Sequence, residues 1–306
     1  MYRSALVASL VLITATSEAH ATFSIAACDG ESGRCGVAVA THNLAVGSSV
    51  PFARARVGAG VSQFETNPMH GPTILEALAR GETAEAALAL ALKTDARFSD
   101  GNERGDRQVG VASFAKGAAA FTGENAGAYA GHKANGRVSV QGNGLASAQV
   151  LEAMWKRFHR SEGVLEERLL SALEAGFAAG GQKIGVLSAA LMVSTPNGWP
   201  VDVDLRVDYA PGDAIGRLRT ALNASLARQR LFRARRLASQ GQSKRAGELA
   251  REALRLAPTW DRVWLGAAGI AREIGDSSAA RMRGCRFAEL NPVWAGLMEE
   301  DFSGCR

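Results

Sequence analysis

The chain has 306 residues, 47% of them hydrophobic and 21% charged, with a formal net charge of +5. That balance belongs to a globular protein and excludes a low-complexity or disordered chain. Beyond the first residues, no stretch is apolar for the roughly 20 residues a membrane-crossing helix needs.

The elements are predicted in chain order from hydrophobic period and turn residues. Residues 1–21 have the three parts of a secretion signal. Arg3 is the positive start, Ala5 to Ile13 the short apolar stretch, and Ala19-His20-Ala21 the cleavage box, so the mature chain is expected to begin at Thr22. Thr22–Cys28 and Cys35–Thr41 read as a β-hairpin and Val57–Gln63 as a third strand. Two helices are expected from Gly71 to Gly81 and from Thr83 to about Lys93. The polar stretch Asp95–Asp106 reads as a loop. Strands follow at Gln108–Ser113, Ala118–Thr122 and Arg137–Gln141, then helices at about Ser147–Arg160 and Leu165–Ala179. Strands at Val186–Ser194 and Val201–Val207 precede a helix near Asp213–Leu222. Helix pairs set between groups of strands imply an α+β fold, with antiparallel sheets and helices packed outside. Small residues crowd the strands, which suits two closely packed sheets.

From about Ser225 the pattern is purely helical. Gly241 and Gly275, Leu256 and Leu290, Pro258 and Pro292, and Trp260 and Trp294 are each 34 residues apart. That period resembles tetratricopeptide repeats, in degenerate form. A helical hairpin capping the first domain is the alternative. The expected domains are thus 1–21, 22–224 and 225–306. The last carries 15 Lys and Arg against 9 Asp and Glu, whereas residues 22–224 are close to neutral. Such a basic helical region suits contact with an acidic envelope component, or else is simply a solvated face.

All four cysteines lie beyond the expected cleavage point, and export would let disulfides persist. Cys28 and Cys35 flank the turn of the first hairpin, leaving Cys285 and Cys305 as a second pair. Four cysteines allow three pairings, so this one rests on proximity.

Cleavage after Ala21 would give Thr22 a free α-amine. An N-terminal Thr carries a nucleophile and a general base in one residue. The α-amine has a reference pKa of about 7.7–8.0, so part of it is neutral near pH 7. The amine and hydroxyl are held together by covalent geometry, which removes most of the positioning cost. The surrounding motifs point the same way. Thr22-Phe-Ser-Ile, Gly36-Val-Ala-Val-Ala-Thr41, Val50-Pro-Phe-Ala-Arg54, Gly58-Ala-Gly-Val-Ser-Gln63, Asn67-Pro, Arg107-Gln-Val-Gly110, Ala130-Gly-His132, Val140-Gln-Gly-Asn143 and Val203-Asp-Leu-Arg-Val-Asp208 occur in that order. Together they resemble the domain of unknown function 1028 family, grouped with the N-terminal-nucleophile (Ntn) hydrolases. The resemblance runs from Thr22 to about Leu222. His70 stands where that family typically has an aromatic residue, and His42 where it often has a basic one.

The resemblance implies a four-layer αββα Ntn-hydrolase-like sandwich, with the nucleophile starting the first strand, and hydrolysis of an amide bond. It supplies no substrate. The expected catalytic set is Thr22, Asn143 and Arg54. The Asn143 side-chain amide or the Gly144 N–H would be the oxyanion donor. Arg54 would hold down the amine pKa, or else be a surface charge beside Arg56. Gln63, Asn67, His132, Gln141 and Gly144 are the expected substrate-binding residues. Gln141-Gly-Asn-Gly144 also suits an ordinary tight turn.

No GxSxG elbow, phosphate loop, dinucleotide fingerprint or metal-ligand spacing occurs, so neither metal nor organic cofactor is expected. The expected protein is periplasmic or secreted and acts on a small amide or peptide-like substrate. No nucleic-acid partner and no membrane span after signal removal are expected, and a homo-oligomer is left open. The alternative function is a non-catalytic envelope protein that binds through its basic helices.

Overall fold

The computed structural model describes residues 21–95, 104–127, 129–198, 202–298 and 305. The expected secretion signal, apart from Ala21, and most of the expected loop between Asp95 and Asp106 lie outside the described residues. The first strand, β1 (Thr22–Cys28), is buried along its whole length. It pairs in antiparallel register with β2 (Cys35–Thr41), from Thr22 opposite Thr41 to Cys28 opposite Cys35. The Cys28–Cys35 disulfide closes this hairpin with Cα atoms 4.1 Å apart, and Cys285 bonds Cys305. Both are the pairs expected from proximity.

The remaining strands are β3 (Pro51–Arg54), β4 (Gly58–Phe64), β5 (Arg107–Ser113), β6 (Ala118–Thr122), β7 (Gly131–Asn135), β8 (Val138–Asn143), β9 (Ser188–Ser194) and β10 (Val203–Val207). They form two antiparallel sheets, ordered β10-β9-β2-β1-β8-β7 and β3-β4-β5-β6. β3 and β7 were not expected from the sequence. Both are short edge strands: one starts with Pro, and the other is the half-exposed run Gly-His-Lys-Ala-Asn, so neither alternates apolar and polar residues.

The helices take their places by burying one face each. α1 (His70–Ala79) and α2 (Ala84–Thr94) cover the outer face of the four-stranded sheet through Ile74, Leu78, Leu88 and Leu92, against Val109 and Val111. The Thr83 hydroxyl starts α2 by accepting the Ala86 N–H at 3.2 Å. α3 (Gln149–Arg160) and α4 (Leu165–Ala178) cover the outer face of the six-stranded sheet. Leu165, Leu169, Leu170 and Leu173 of α4 meet Phe23 and Ile25 there. The inner faces of the two sheets pack on each other, with β1 against β4 and β5. The result is an α+β fold with antiparallel sheets, as expected.

α5 (Ala214–Ser239) departs from expectation. The sequence suggested a stop near Leu222 and a new region from 225, but the helix runs through that point for 26 residues. Ile215, Leu218, Leu222 and Leu226 belong to the core under the six-stranded sheet, whereas Ala234 and Ala238 pack with α6 (Ser243–Leu256) and α7 (Asp261–Glu273). α8 (Ser277–Leu290) and α9 (Pro292–Leu297) complete a helical C-terminal region. The 34-residue spacing is carried by Gly241 and Gly275, with φ of 74° and 79° just after α5 and α7. Each ends its helix in the left-handed region that glycine adopts without steric cost. Among the described residues, no helix is long and apolar enough to cross a membrane.

Candidate functional site

Thr22 starts the strand next to the middle of the six-stranded sheet, flanked by Thr41 on β2 and Asn143 on β8. It is 4% exposed. The Thr22 N–H donates to Asn143 Oδ1 at 3.1 Å, and Thr22 Oγ1 lies 3.0 Å from Thr41 Oγ1. Thr41 Oγ1 donates at 2.8 Å to the carbonyl oxygen of Ala21, which also receives the His42 N–H at 3.4 Å. Ala21 is itself buried, so it fills the position in front of the Thr22 nitrogen. With Ala21 attached, that nitrogen is a peptide amide with no basic lone pair. Cleavage after Ala21 would turn it into an amine facing the Asn143 carbonyl oxygen. It would also leave the Thr41 hydroxyl and His42 N–H without the oxygen they now bind.

Behind Thr22, a chain of buried amides fills the space between the sheets. Ser24 Oγ donates to Gln63 Oε1 at 2.6 Å and receives Gln141 Nε2 at 2.7 Å. Gln63 Nε2 donates to Gln108 Oε1 at 2.8 Å and, more weakly, to the Thr22 carbonyl at 3.4 Å. Asn143 Nδ2 also donates to Gln108 Oε1, at 2.8 Å. Gln108 Nε2 then donates to the Gly142 carbonyl and to Thr122 Oγ1, both at 2.9 Å. Ser24, Gln63, Gln108, Gln141 and Asn143 are all fully buried. An amide sealed from water must be hydrogen-bonded or it costs about 1–3 kcal/mol, and these amides satisfy one another. Their orientation is therefore determined. Because Gln108 offers Asn143 an acceptor, Asn143 must turn its NH2 to Gln108 and its carbonyl oxygen to Thr22.

Gln63, Gln141 and Asn143 therefore gather within one network around Thr22, and Gly144 follows Asn143 with φ of 57°. His132 joins from the edge strand, its Nδ1 2.9 Å from the Thr122 hydroxyl that Gln108 also reaches. Gln63 and Gln141 were expected to bind substrate, but both are fully buried with their amides bonded within the network, so they brace the strand instead. Two further expectations need correction. Arg54 pairs with Gly58 at the Cys28 end of the sandwich, whereas Gln63 near the other end of β4 reaches Thr22. Five residues of strand, about 16 Å, separate Gly58 from Gln63, and Arg54 is exposed, so it does not tune the Thr22 amine. Asn67 does not line a pocket either. Its Oδ1 takes the Met69 N–H, and its Nδ2 is tied to Asp95 Oδ1. Asn143 lies beside Thr22, with its Nδ2 donating to Gln108 Oε1, and Gly144 is the next residue along the chain.

Two residues at the centre of this geometry were missed: Thr41 and Gln108. Both lie inside motifs already singled out, Gly36-Val-Ala-Val-Ala-Thr41 and Arg107-Gln-Val-Gly110. A polar residue within a strand otherwise buried on both faces was the available signal.

Asn67 belongs to a second buried cluster on the helix side of the four-stranded sheet. Asp95 accepts Arg107 Nε at 2.6 Å and sits 3.2 Å from His70 Nε2, out of line for a hydrogen bond. His70 Nδ1 lies 3.0 Å from Ser62 Oγ. Burial pushes the His70 pKa below its ordinary value, opposed by the Asp95 charge. Burial acts to raise Asp95, but hydrogen bonds from Arg107 and Asn67 and the neighbouring charges outweigh it, and its carboxyl stays below the usual range. Ser62, His70 and Asp95 form a line of nucleophile, imidazole and carboxylate, yet Ser62 and His70 are each 1% exposed. The Asn67 N–H also donates to Ser62 Oγ, so the cluster braces the chain after β4. Among the described residues, no group of three or more His, Cys, Asp or Glu is placed to hold a metal ion.

Residues 22–218 match the Family of unknown function (DUF1028), a stretch that ends within α5. Among solved structures, the chain is similar to the crystal structure of protein SPO2555 from Silicibacter pomeroyi, described under the same family. The two share 35% sequence identity with a TM-score of 0.59, over 66% of this chain and 84% of that one. No curated protein matches the chain.

Proposed function

The chain belongs to the DUF1028 family, and from that premise we propose that it is an exported Ntn hydrolase that cleaves a small amide or peptide-like bond. The observation that carries the reading is the Asn143 carbonyl oxygen held on the Thr22 nitrogen by a fully buried amide network. After cleavage the same acceptor would hold the freed amine in place beside the Thr22 hydroxyl. The layering of helices, sheet, sheet and helices supports the further reading of the fold as the αββα sandwich of Ntn hydrolases. The two disulfides suit the periplasm or the cell exterior.

In this reading, removal of residues 1–21 frees the α-amine. The amine takes the proton of the Thr22 hydroxyl, and Oγ1 attacks the substrate carbonyl carbon. The developing oxyanion is held by backbone and hydroxyl donors, for which the Gly144 N–H, the His42 N–H and the Thr41 hydroxyl are the candidates. The C–N bond breaks, the leaving amine takes the proton from the α-ammonium, and water then hydrolyses the Thr22 ester. Asn143 and Gln108 orient the amine throughout. Gln63 and Gln141 hold the strand that carries it.

The test is labelling of protein beginning at Thr22 with a β-lactone, followed by mapping of the adduct. Modification of Thr22 is expected, along with none in Thr22→Ala or in protein that retains residues 1–21. Thr22→Ser should keep part of the reactivity, because hydroxyl and amine both remain. An adduct elsewhere, or undiminished turnover by Thr22→Ala, would overturn the mechanism.

A further inference from the structure

The C-terminal helices enclose a groove that the hydrolase reading does not use. Its floor is apolar, made by Leu231 and Phe232 of α5 and by Trp260, the residue before α7. Phe232 is 57% exposed, unusual for a large aromatic side chain on a helix that already buries another face. Three arginines rim the groove: Arg228 and Arg235 on α5 and Arg262 on α7, all exposed. No acidic residue is among the described residues that line it. Glu252 on α6 is paired with Arg230. Arg262 lies with its guanidinium carbon 5.2 Å from the centre of the Trp294 ring, a cation–π contact.

We infer that this groove binds an acidic peptide segment with a bulky apolar side chain between its carboxylates. Three features select that ligand. The cavity holds about 290 Å³, which accommodates one or two side chains and not a folded surface. Guanidinium groups bind carboxylates in paired hydrogen bonds, so the rim selects anions with directional geometry. Arg228 and Arg235 are two helical turns apart, about 10 Å along the axis. About three residues of extended peptide span the same distance. The apolar floor favours a peptide over a purely hydrophilic polyanion, and the concave shape favours it over a flat lipid surface. The basic composition of residues 225–306 supplies the long-range attraction, and the groove supplies the selection. The inference does not depend on hydrolysis at Thr22, because it concerns binding alone.

Fluorescence anisotropy with the mature full-length protein tests it. The probe is a fluorescein-labelled hexapeptide, Glu-Phe-Phe-Glu-Phe-Phe, whose two carboxylates are three residues apart. Saturable binding is expected, weakening as salt rises from low concentration to about 0.5 M, where the screening length is only a few ångströms. The exposed-site variants Arg235→Glu and Arg262→Glu should each weaken it by about tenfold or more, with unchanged circular dichroism. Phe232→Ser should weaken it without altering the salt dependence. Equal binding of a hexapeptide of Glu alone, or variants that bind like the native protein, would overturn the inference. So would tighter binding to phosphatidylglycerol vesicles that depends on the same arginines, which would assign the groove to a membrane surface.

Discussion

The two faces of β1 meet opposite surroundings. Phe23, Ile25 and Ala27 point outward into a core of Leu, Met and Phe side chains under α3 and α4. Thr22, Ser24, Ala26 and Cys28 point inward, where small apolar residues fill the Cys28 end and amides fill the Thr22 end. The outer face is apolar burial alone. The inner face begins the same way and then changes character within two residues, at Ser24. Buried hydrogen-bonded amides add little net stability over apolar packing, so an all-apolar interface would hold the sheets as well. What the amides supply is direction: each has one satisfying orientation, and together they fix the groups around Thr22.

That contrast can be broken from either side. The largest expected effect is on the outer face. Phe23→Ala should lower stability by about 3–5 kcal/mol, through lost burial and an unfilled cavity, without reorienting Asn143. Urea denaturation measures the loss. An inner-face change of similar kind is Gln108→Leu. It leaves Asn143 Nδ2, Gln63 Nε2 and the Gly142 carbonyl without their partner. At about 1 kcal/mol for each buried group left unpaired, the low end because Gln63 Nε2 keeps the Thr22 carbonyl, stability should fall by about 3 kcal/mol. Unlike Phe23→Ala, it should also shift the titration of the Thr22 α-amine in the mature protein, which NMR can follow. If both variants left that titration alike, the amides would have no orienting role.

Ser24→Ala is a smaller test of the same network. It removes the hydroxyl that Gln63 Oε1 and Gln141 Nε2 share, for a loss of about 1–3 kcal/mol. Gly110→Ala attacks it sterically, since a Cβ there would fall on Gln141 Oε1. Loss of stability without loss of fold is expected, read as a lower midpoint in thermal melts.

The last effect is expected from the charged cluster behind the four-stranded sheet. The folded chain holds the His70 pKa below its unfolded value of about 6.5. The unfolded state therefore binds more protons as pH drops through that value, and stability should fall from there downward. Asp95, also held low, adds its share only below about pH 4, where its unfolded carboxyl protonates. Denaturation at a series of pH values should show the first decline in the native protein and not in His70→Phe. An identical profile in both would remove His70 as the cause.

Much of this architecture was legible in the chain. β1, β2, β5, β6 and the helices α1 to α4 follow from apolar period and from turn residues such as Gly81-Glu82-Thr83. The edge strands β3 and β7 were not, because each gains its extended form from a neighbour rather than from its own pattern. The continuity of α5 does not show in the sequence because its buried stripe changes partner midway, from Leu218, Leu222 and Leu226 to Ala234 and Ala238. Thr22, Asn143 and Gln63 were legible as candidates from residue type and motif.

The hairpin and its disulfide, the two pairs of helices, the basic helical end and a candidate nucleophile at Thr22 can all be read from the chain. All of these depend on neighbours along the chain, where period, spacing and charge count are read directly. Which polar residues meet Thr22 came from the folded arrangement alone. It brought Thr41 and Gln108 in, set Arg54 at the opposite end and turned Asn67 toward Asp95. The reason is register. A strand pairing places residues more than a hundred positions apart within hydrogen-bonding distance, as with Thr22 and Asn143, and a shift of one residue would turn each side chain to the other face.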